Sequence, residues 1–329
     1  MRILTRSDVQ RLLPMSEAVV VVRKAFCELS QGTATIPQRV ALWPEKHGGV
    51  TLVMPGYLAE LDALGVKVVS VHDKNPQRNQ PSIYGVLMLV EAATGKPLAL
   101  MEAAYLTALR TGAATGLATD LLARKDARVA AIFGGGAQAR TQLLGVCAVR
   151  QLERVWVWTR RPEQARSLIE EMGPLMSGTV EMLSANSPAQ AMAEVDVICT
   201  ATTSHVPLLH GSDLRPGTHV NALGAYTPKM RETDSTTLRR ASKIVVDSRP
   251  AALAEAGDIL LAIAEGAISQ DSIHAEIGEI AAGVKPGREA DDEITFFKSV
   301  GKAAQDVAVA QAVHQRAVEQ GIGVEVDLG

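Results

Sequence analysis

The sequence predicts an α/β chain in which a doubly wound parallel sheet is inserted into a second, α+β domain. Three observations carry that expectation. From residue 128 onward, short β-branched runs alternate with helical stretches, the pattern of βαβ units. Before that region, apolar segments are separated by turns rather than by helices. After it, a long amphipathic stretch closes the chain with little beyond it that could form a strand.

A length of 329 residues fits two domains, with boundaries expected at 1–118 plus 302–329 and at 119–301. In the first portion, residues 2–13 and 15–31 read as a short strand or turn followed by an amphipathic helix. Apolar segments follow at 39–43, 50–55, 64–72 and 84–102. The last is interrupted by Ala93-Thr94-Gly95-Lys96, where glycine supplies the positive φ that a hairpin needs, so this part reads as an antiparallel sheet. Residues 104–123 have helical spacing, broken in character only at Gly112 and Gly116, and are expected to bridge the domains. In the inserted domain the expected strands are 128–133, 154–159, 179–183, 195–202, 218–224 and 242–248, six in all. Residues 296–321 read as a final helix that returns to the first domain.

Composition narrows the function. Hydrophobic residues at 47% and charged residues at 21% suit a packed globular enzyme. A net charge of -3, with no basic run, gives no footprint for nucleic acid. There is no stretch of about eighteen apolar residues and no N-terminal apolar segment with a small-residue cleavage site, so the expectation is a cytoplasmic chain without a membrane partner. Cys27, Cys147 and Cys199 lie far apart, as reduced thiols do. The nearest histidines, His205 and His210, lack ligand spacing, and no metal is expected.

The most informative motif follows the strand at 128–133. Gly134-Gly135-Gly136-Ala137-Gln138-Ala139 leads straight into a helix, with spacing G-x-G-x-x-A. Gly134 permits the tight turn, Gly136 lets backbone approach a pyrophosphate, and small Ala139 lets helix and strand pack closely. In a strand–loop–helix context this is the phosphate loop of a Rossmann-type dinucleotide site. Where an NAD-preferring site carries an acid at the end of the second strand, this chain has Thr159-Arg160-Arg161. Guanidinium groups bind a 2′-phosphate, which a carboxylate would repel, so NADP(H) is the expected cofactor, with NADH the alternative. Thr200-Ala201-Thr202 and Asn221-Ala222-Leu223-Gly224 end two further strands, where ligands of such sheets bind, and are assigned to the cofactor.

Several segments together resemble the ornithine cyclodeaminase and mu-crystallin family over nearly the whole chain. They are Ile36-Pro37-Gln38-Arg39, Leu64-Gly65-Val66-Lys67, Leu109-Arg110-Thr111-Gly112, the glycine loop, Asn221-Ala222-Leu223-Gly224, Glu255-Ala256-Gly257-Asp258 and Phe297-Lys298-Ser299-Val300-Gly301. The resemblance implies a homodimer formed by the first domain, with nicotinamide held against a small imino or amino acid. It places Arg39, Lys67 and Arg110 around the substrate carboxylate, with Met54 beside them, and adds Thr111, Val300 and Gly301 to the cofactor contacts. Each of the three cations lies among apolar or small residues, where a charge without a partner is costly until an anion joins it.

Tyr226 stands where the cyclodeaminases of this family carry an Asp that acts on the substrate amines. A phenol with a reference pKa of about 10 is a poor base at neutral pH, so ornithine cyclisation is disfavoured. The run Thr227-Pro228-Lys229-Met230-Arg231-Glu232 looks more like the ketimine-reductase members. Those reduce Δ1-pyrroline-2-carboxylate or Δ1-piperideine-2-carboxylate to L-proline or L-pipecolate. Lys67, Arg110 and Tyr226 are the expected catalytic residues. His72 is separated from Lys67 by an odd number of positions, which on a regular strand puts the two on opposite faces. Alanine dehydrogenase, ornithine cyclodeaminase and an NADPH-binding mu-crystallin-like protein are the alternatives within the resemblance.

Overall fold

The computed structural model describes residues 1–72, 74–176 and 180–328. The chain forms two compact units, Met1–Arg110 with Lys302–Gly329, and Thr111–Gly301.

The first unit is built on an eight-stranded sheet. After strand β1 (Arg2–Leu4) come helices α1 (Arg6–Leu12) and α2 (Met15–Gln31). The Thr5 side chain caps α1, and Gly32 ends α2 at φ 77, a left-handed turn natural to glycine. Strands β2 (Ala34–Thr35) and β3 (Val40–Leu42) both pair antiparallel with β4 (Val50–Leu58). Next in the sheet are β5 (Ala63–Val71), β6 (Ile83–Val90) and β7 (Pro97–Glu102), all antiparallel, with β1 added parallel to β7. The hairpin between β6 and β7 turns through Gly95 at φ 79, as its sequence requires. Residues Val324–Glu325 close the sheet against β1.

Along β5, Ala63, Gly65, Lys67 and Val69 alternate inward, as a pleated strand dictates. Against that face lies the C-terminal helix, Ala303–Glu319. Small residues let it come close: a Cβ at Gly56 would stand 3.2 Å from Ala303 Cβ, and one at Gly65 3.4 Å from Val307. Ala25, Leu58, Ala63, Ala304, Val307 and Ala308 fill the space between.

The second unit carries eight parallel strands. They are β8 (Val129–Phe133), β9 (Arg154–Trp158), β10 (Glu181–Ser184), β11 (Val197–Thr200), β12 (His219–Ala222), β13 (Lys243–Val246), β14 (Ile273–Glu276) and β15 (Thr295–Lys298). The order across the sheet is β10-β9-β8-β11-β12-β15-β13-β14. Thr179, the first residue of the expected third strand, lies outside the described residues. Helices α4 (Ala137–Cys147), α5 (Pro162–Met172), α6 (Pro188–Met192), α7 (Ser235–Arg240), α8 (Arg249–Glu255), α9 (Gly257–Ala264) and α10 (Ile277–Ala281) connect the strands. Apolar clusters cover both faces of the sheet, so its central strands are buried end to end. Chain order reverses at β8, which lies between β9 and β11, and the crevice outside the carboxyl ends of β8 and β11 is where such sheets bind ligands.

Two expectations are corrected. Among the described residues the second sheet has eight strands rather than six, because Ile273–Glu276 and Thr295–Lys298 also join it. Residues 296–321 are not one helix: aromatic Phe296 and Phe297 sit in β15, and Gly301 at φ 83 breaks the chain before the helix begins at Ala303. The two compact units divide between Arg110 and Thr111. Helix α3 (Ala103–Leu122) continues through that point, and its residues 111–119 are buried on every side, as in a central helix. Gly112 and Gly116 belong there because α4 crosses closely: a Cβ at Gly145 would overlap the Gly112 carbonyl oxygen. Among the described residues no helix is long and apolar enough to cross a membrane, and no cluster of His, Cys, Asp and Glu could hold a metal ion.

The crossing gives a test. In an open helix Gly→Ala gains about 1 kcal/mol of helix propensity. Gly145→Ala should instead destabilise by about 1–3 kcal/mol, read by urea unfolding, because the added methyl forces two backbones apart.

Candidate active site

The three cations expected around a substrate carboxylate, Arg39, Lys67 and Arg110, all belong to the first unit. Lys67 sits mid-strand in β5, opposite Met54 of β4 and Leu87 of β6, with its side chain 1% exposed. Met54 is buried in an apolar cluster with Val69 and Ala303. The C-terminal helix presents Asp306, fully enclosed, with Oδ2 2.7 Å from Lys67 Nζ. Its Oδ1 accepts from Arg110 Nε at 3.0 Å, and Gln305 Oε1 accepts from Arg110 Nη1 at 3.2 Å. Arg39 is half-buried just before β3, and its charge reaches Lys67. The sequence had suggested cations waiting for a substrate anion; the structure supplies one anion itself. Lys67 and Arg110 share that one carboxylate, one on each oxygen.

Burial lowers the Lys67 pKa most, Asp306 opposes that, and Arg110 and Arg39 lower it again, with the result at about 8. A lysine of that kind is charged at neutral pH yet gives up its proton far more readily than one in water.

In the second unit, the glycine turn stands at the end of β8. Gly134 adopts φ 127, and a Cβ there would lie 2.6 Å from the Ala201 carbonyl oxygen, so only glycine fits. Gly136 caps α4, and the space a Cβ would take is open. At Gly135 a Cβ would press on Gln164 Cβ at 2.9 Å. Ala137 is exposed, whereas Ala139 is fully buried against the sheet. Arg140, anchored on Glu171, donates from Nη1 to the carbonyls of Gly135 (2.7 Å) and Gly136 (3.2 Å). With those carbonyls occupied, the first-turn amides of α4 are the groups left to meet a phosphate. The enclosed Gln138 Oε1 has no donor among the described residues. This loop fits a pyrophosphate.

At the next strand end, Thr159 Oγ1 donates to the Arg161 carbonyl at 2.6 Å and holds the turn. Arg160 is exposed with no hydrogen bond or ion pair among the described residues, whereas Arg161 Nε lies 4.0 Å from Glu163.

The loops after β11 and β12 are organised by an acid that the sequence reading gave no role. Glu232, completely buried, accepts from Thr200 Oγ1, Thr202 N and Oγ1, Gly224 N and Ala225 N at 2.6–3.1 Å. Burial and then the neighbouring Asp258 carboxylate push its pKa up, against Lys298 and the hydrogen bonds. Asp258 Oδ1 in turn accepts from the amides of Glu232 and Thr233, while its Oδ2 takes Lys298 Nζ at 2.7 Å. The hydroxyl protons of Thr200 and Thr202, expected to face the cofactor, are therefore committed to Glu232. Asn221 is likewise turned inward, donating to Thr119 Oγ1 at 3.1 Å. Leu223 is 9% exposed, Thr111 is buried, and the amides of Val300 and Gly301 both donate to Asp247 Oδ2 at 2.8 Å. Tyr226 is half-buried in the loop beyond β12, and His72 follows the end of β5.

A parallel sheet with a glycine turn at its switch point is the architecture of dinucleotide-linked dehydrogenases. The model of the ornithine cyclodeaminase/mu-crystallin family matches residues 1–321, and the chain belongs to that family. It is 38% identical over 327 residues to a Δ1-pyrroline-2-carboxylate reductase of Bacillus cereus, covering 99% of this chain and all of the relative. The structure of Thermococcus litoralis Δ1-pyrroline-2-carboxylate reductase in complex with NADH and L-proline superposes with a TM-score of 0.95 at 44% identity, covering 99% of this chain and 100% of that one. An archaeal alanine dehydrogenase dimer with bound NAD follows, with a TM-score of 0.92 at 36% identity, covering 100% and 99%.

The buried pair in the second unit yields a stability prediction. Lys298→Met leaves Asp258 without its cation and should cost about 3–5 kcal/mol in urea unfolding, well above an ordinary core substitution of that size.

Proposed function

We propose that this chain reduces cyclic α-imino acids, Δ1-pyrroline-2-carboxylate and Δ1-piperideine-2-carboxylate, to L-proline and L-pipecolate, with NADPH as the preferred donor. The observation that carries the reading is the pair Lys67 and Arg110 on Asp306, with the charge of Arg39 reaching Lys67, in a chain similar from end to end to a reductase held with NADH and L-proline. Arg39 and Arg110 clamp the carboxylate, which orients the imine carbon. Lys67 gives a proton to the imine nitrogen, and the iminium so formed is the better electrophile. The bound dinucleotide supplies the hydride; Gly134 to Gly136 and the first turn of α4 hold its pyrophosphate, with Ala137 and Gln138 beside it. Tyr226 in place of a carboxylate speaks against amine chemistry with loss of ammonia. The chain is read as a cytoplasmic homodimer, supported by the archaeal dimer it resembles and by three free thiols.

NADPH and NADH oxidation should be followed with pyrroline- and piperideine-2-carboxylate, then with pyruvate plus ammonium. Turnover confined to the last pair would replace this reading with alanine dehydrogenase. Arg39→Met and Arg110→Met each remove a charge-assisted contact of about 1.5–3 kcal/mol, so kcat/KM should fall roughly ten- to a hundredfold.

The sign of the pH dependence follows from Lys67. Its proton is present below a pKa of about 8 and lost above it, so imine reduction should fall with rising pH through that value. Oxidation of L-proline, which needs the neutral amine, should rise over the same interval. Arg160→Asp should move the NADPH/NADH ratio of kcat/KM toward NADH by about tenfold or more, since it exchanges attraction for repulsion at the 2′-phosphate. An unchanged ratio would remove Arg160 from the cofactor site.

A further inference from the structure

Asp306 divides its two oxygens between groups that the reaction uses differently: Oδ2 meets the lysine that holds a proton, and Oδ1 meets the arginine that holds the substrate. We propose that Asp306 is the positioning residue that keeps Lys67 charged and aimed, so that Lys67 rather than solvent delivers the proton to the imine nitrogen. This deepens the reductase reading above and rests on it.

The charged groups facing Lys67 can be taken element by element. The C-terminal helix brings Asp306, α3 brings Arg110, and the segment before β3 brings Arg39. The flanking strands present Met54 and Leu87, which carry no charge. Take Asp306 away and the ammonium is left in an apolar enclosure beside two guanidinium groups. Desolvation and like-charge repulsion then act together to expel its proton. Gln305 cannot take over, because it is neutral and its Oε1 already accepts from Arg110 and from the Lys302 amide.

The geometry also couples aim to charge. One carboxylate spans Lys67 Nζ and Arg110 Nε, so donor and clamp keep a fixed separation whatever the substrate ring size. In the transfer, a Lys67 N–H bond breaks and an N–H bond forms at the imine nitrogen. The lysine is left as a neutral amine beside Asp306 and recovers a proton from water after product departs. The hydride with its electron pair reaches the imine carbon from the dinucleotide, as the reductase reading already requires.

The test uses the full-length protein with 13Cε-labelled lysine, Lys67 being assigned by its loss in Lys67→Met. In the cofactor-free wild type its resonance should titrate near 8. In Asp306→Asn the midpoint should fall by about 1–3 units, the effect of removing an opposite charge at this range. The alkaline limb of kcat/KM should move down by the same amount. Reduced activity with both midpoints unmoved would mean that Asp306 only supports the fold, and the proposal would be overturned. Should Asp306→Asn fail to fold, the wild type decides alone: the Asp306 carboxyl carbon should shift in step with Lys67, and a flat response from about pH 6 to 10 overturns the coupling. A wild type that titrates as expected but reduces no cyclic imine would retire the reductase reading and leave the coupling standing.

Discussion

Shutting a charge away from water is tolerable only when an opposite charge and hydrogen bonds come with it, and this constraint organises both units. Asp306 sits within a run of eight buried residues at the start of the C-terminal helix, residues 303–310. Lys67 and Arg110, drawn from a strand and from a helix far away in sequence, are what make its burial acceptable. The helix is therefore fixed on the sheet by an ionic lock as well as by the close approach at Gly56 and Gly65. The second unit repeats the arrangement with Asp258 and Lys298, from which Glu232 and the loops after β11 and β12 are hung.

The two networks differ in what they leave over. Around Asp258 the opposite charges of Lys298 and Asp258 match, and Glu232 is saturated with donors, so the result is a rigid support. Around Asp306 one carboxylate is shared between two cations, Lys67 on Oδ2 and Arg110 on Oδ1, so more than one positive charge stands against it.

Much of the architecture could be read in advance because it depends on local chemistry. β-Branched runs, the G-x-G-x-x-A turn and the Thr94-Gly95 hairpin act over a few residues, and each lies where the sequence put it. The strand at 273–276 escaped notice because four residues, one of them His274, carry too little alternation to signal a strand. Phe296 and Phe297 were absorbed into the helix behind them because aromatic residues fit either pattern until Gly301 is seen to adopt positive φ. In the candidate site, the cations are singled out by motifs, but the acid that two of them share is not. A signal is present: Gln305-Asp306 interrupts residues 303–310, which are otherwise all Ala and Val, and an acid in such a stretch demands a cation. Which cation it would find depends on contacts across 239 and 196 positions, which no local pattern encodes. The hydroxyls of Thr200 and Thr202 are likewise engaged by Glu232, 32 and 30 positions on, a partnership no local pattern encodes.

The return of the C-terminal helix to the first sheet has a consequence for how the molecule is made. Lys67 and Arg110 leave the ribosome long before Asp306, with the whole inserted unit emerging in between. Until Asp306 emerges the first sheet lacks its covering helix, and two cations destined for burial lack the counter-ion of the finished fold, so that half must stay open to water while the inserted half can already close on itself. A helix made after the inserted unit thus completes a sheet made before it, and a message truncated ahead of Lys302 would yield a folded second unit attached to an unfinished first one.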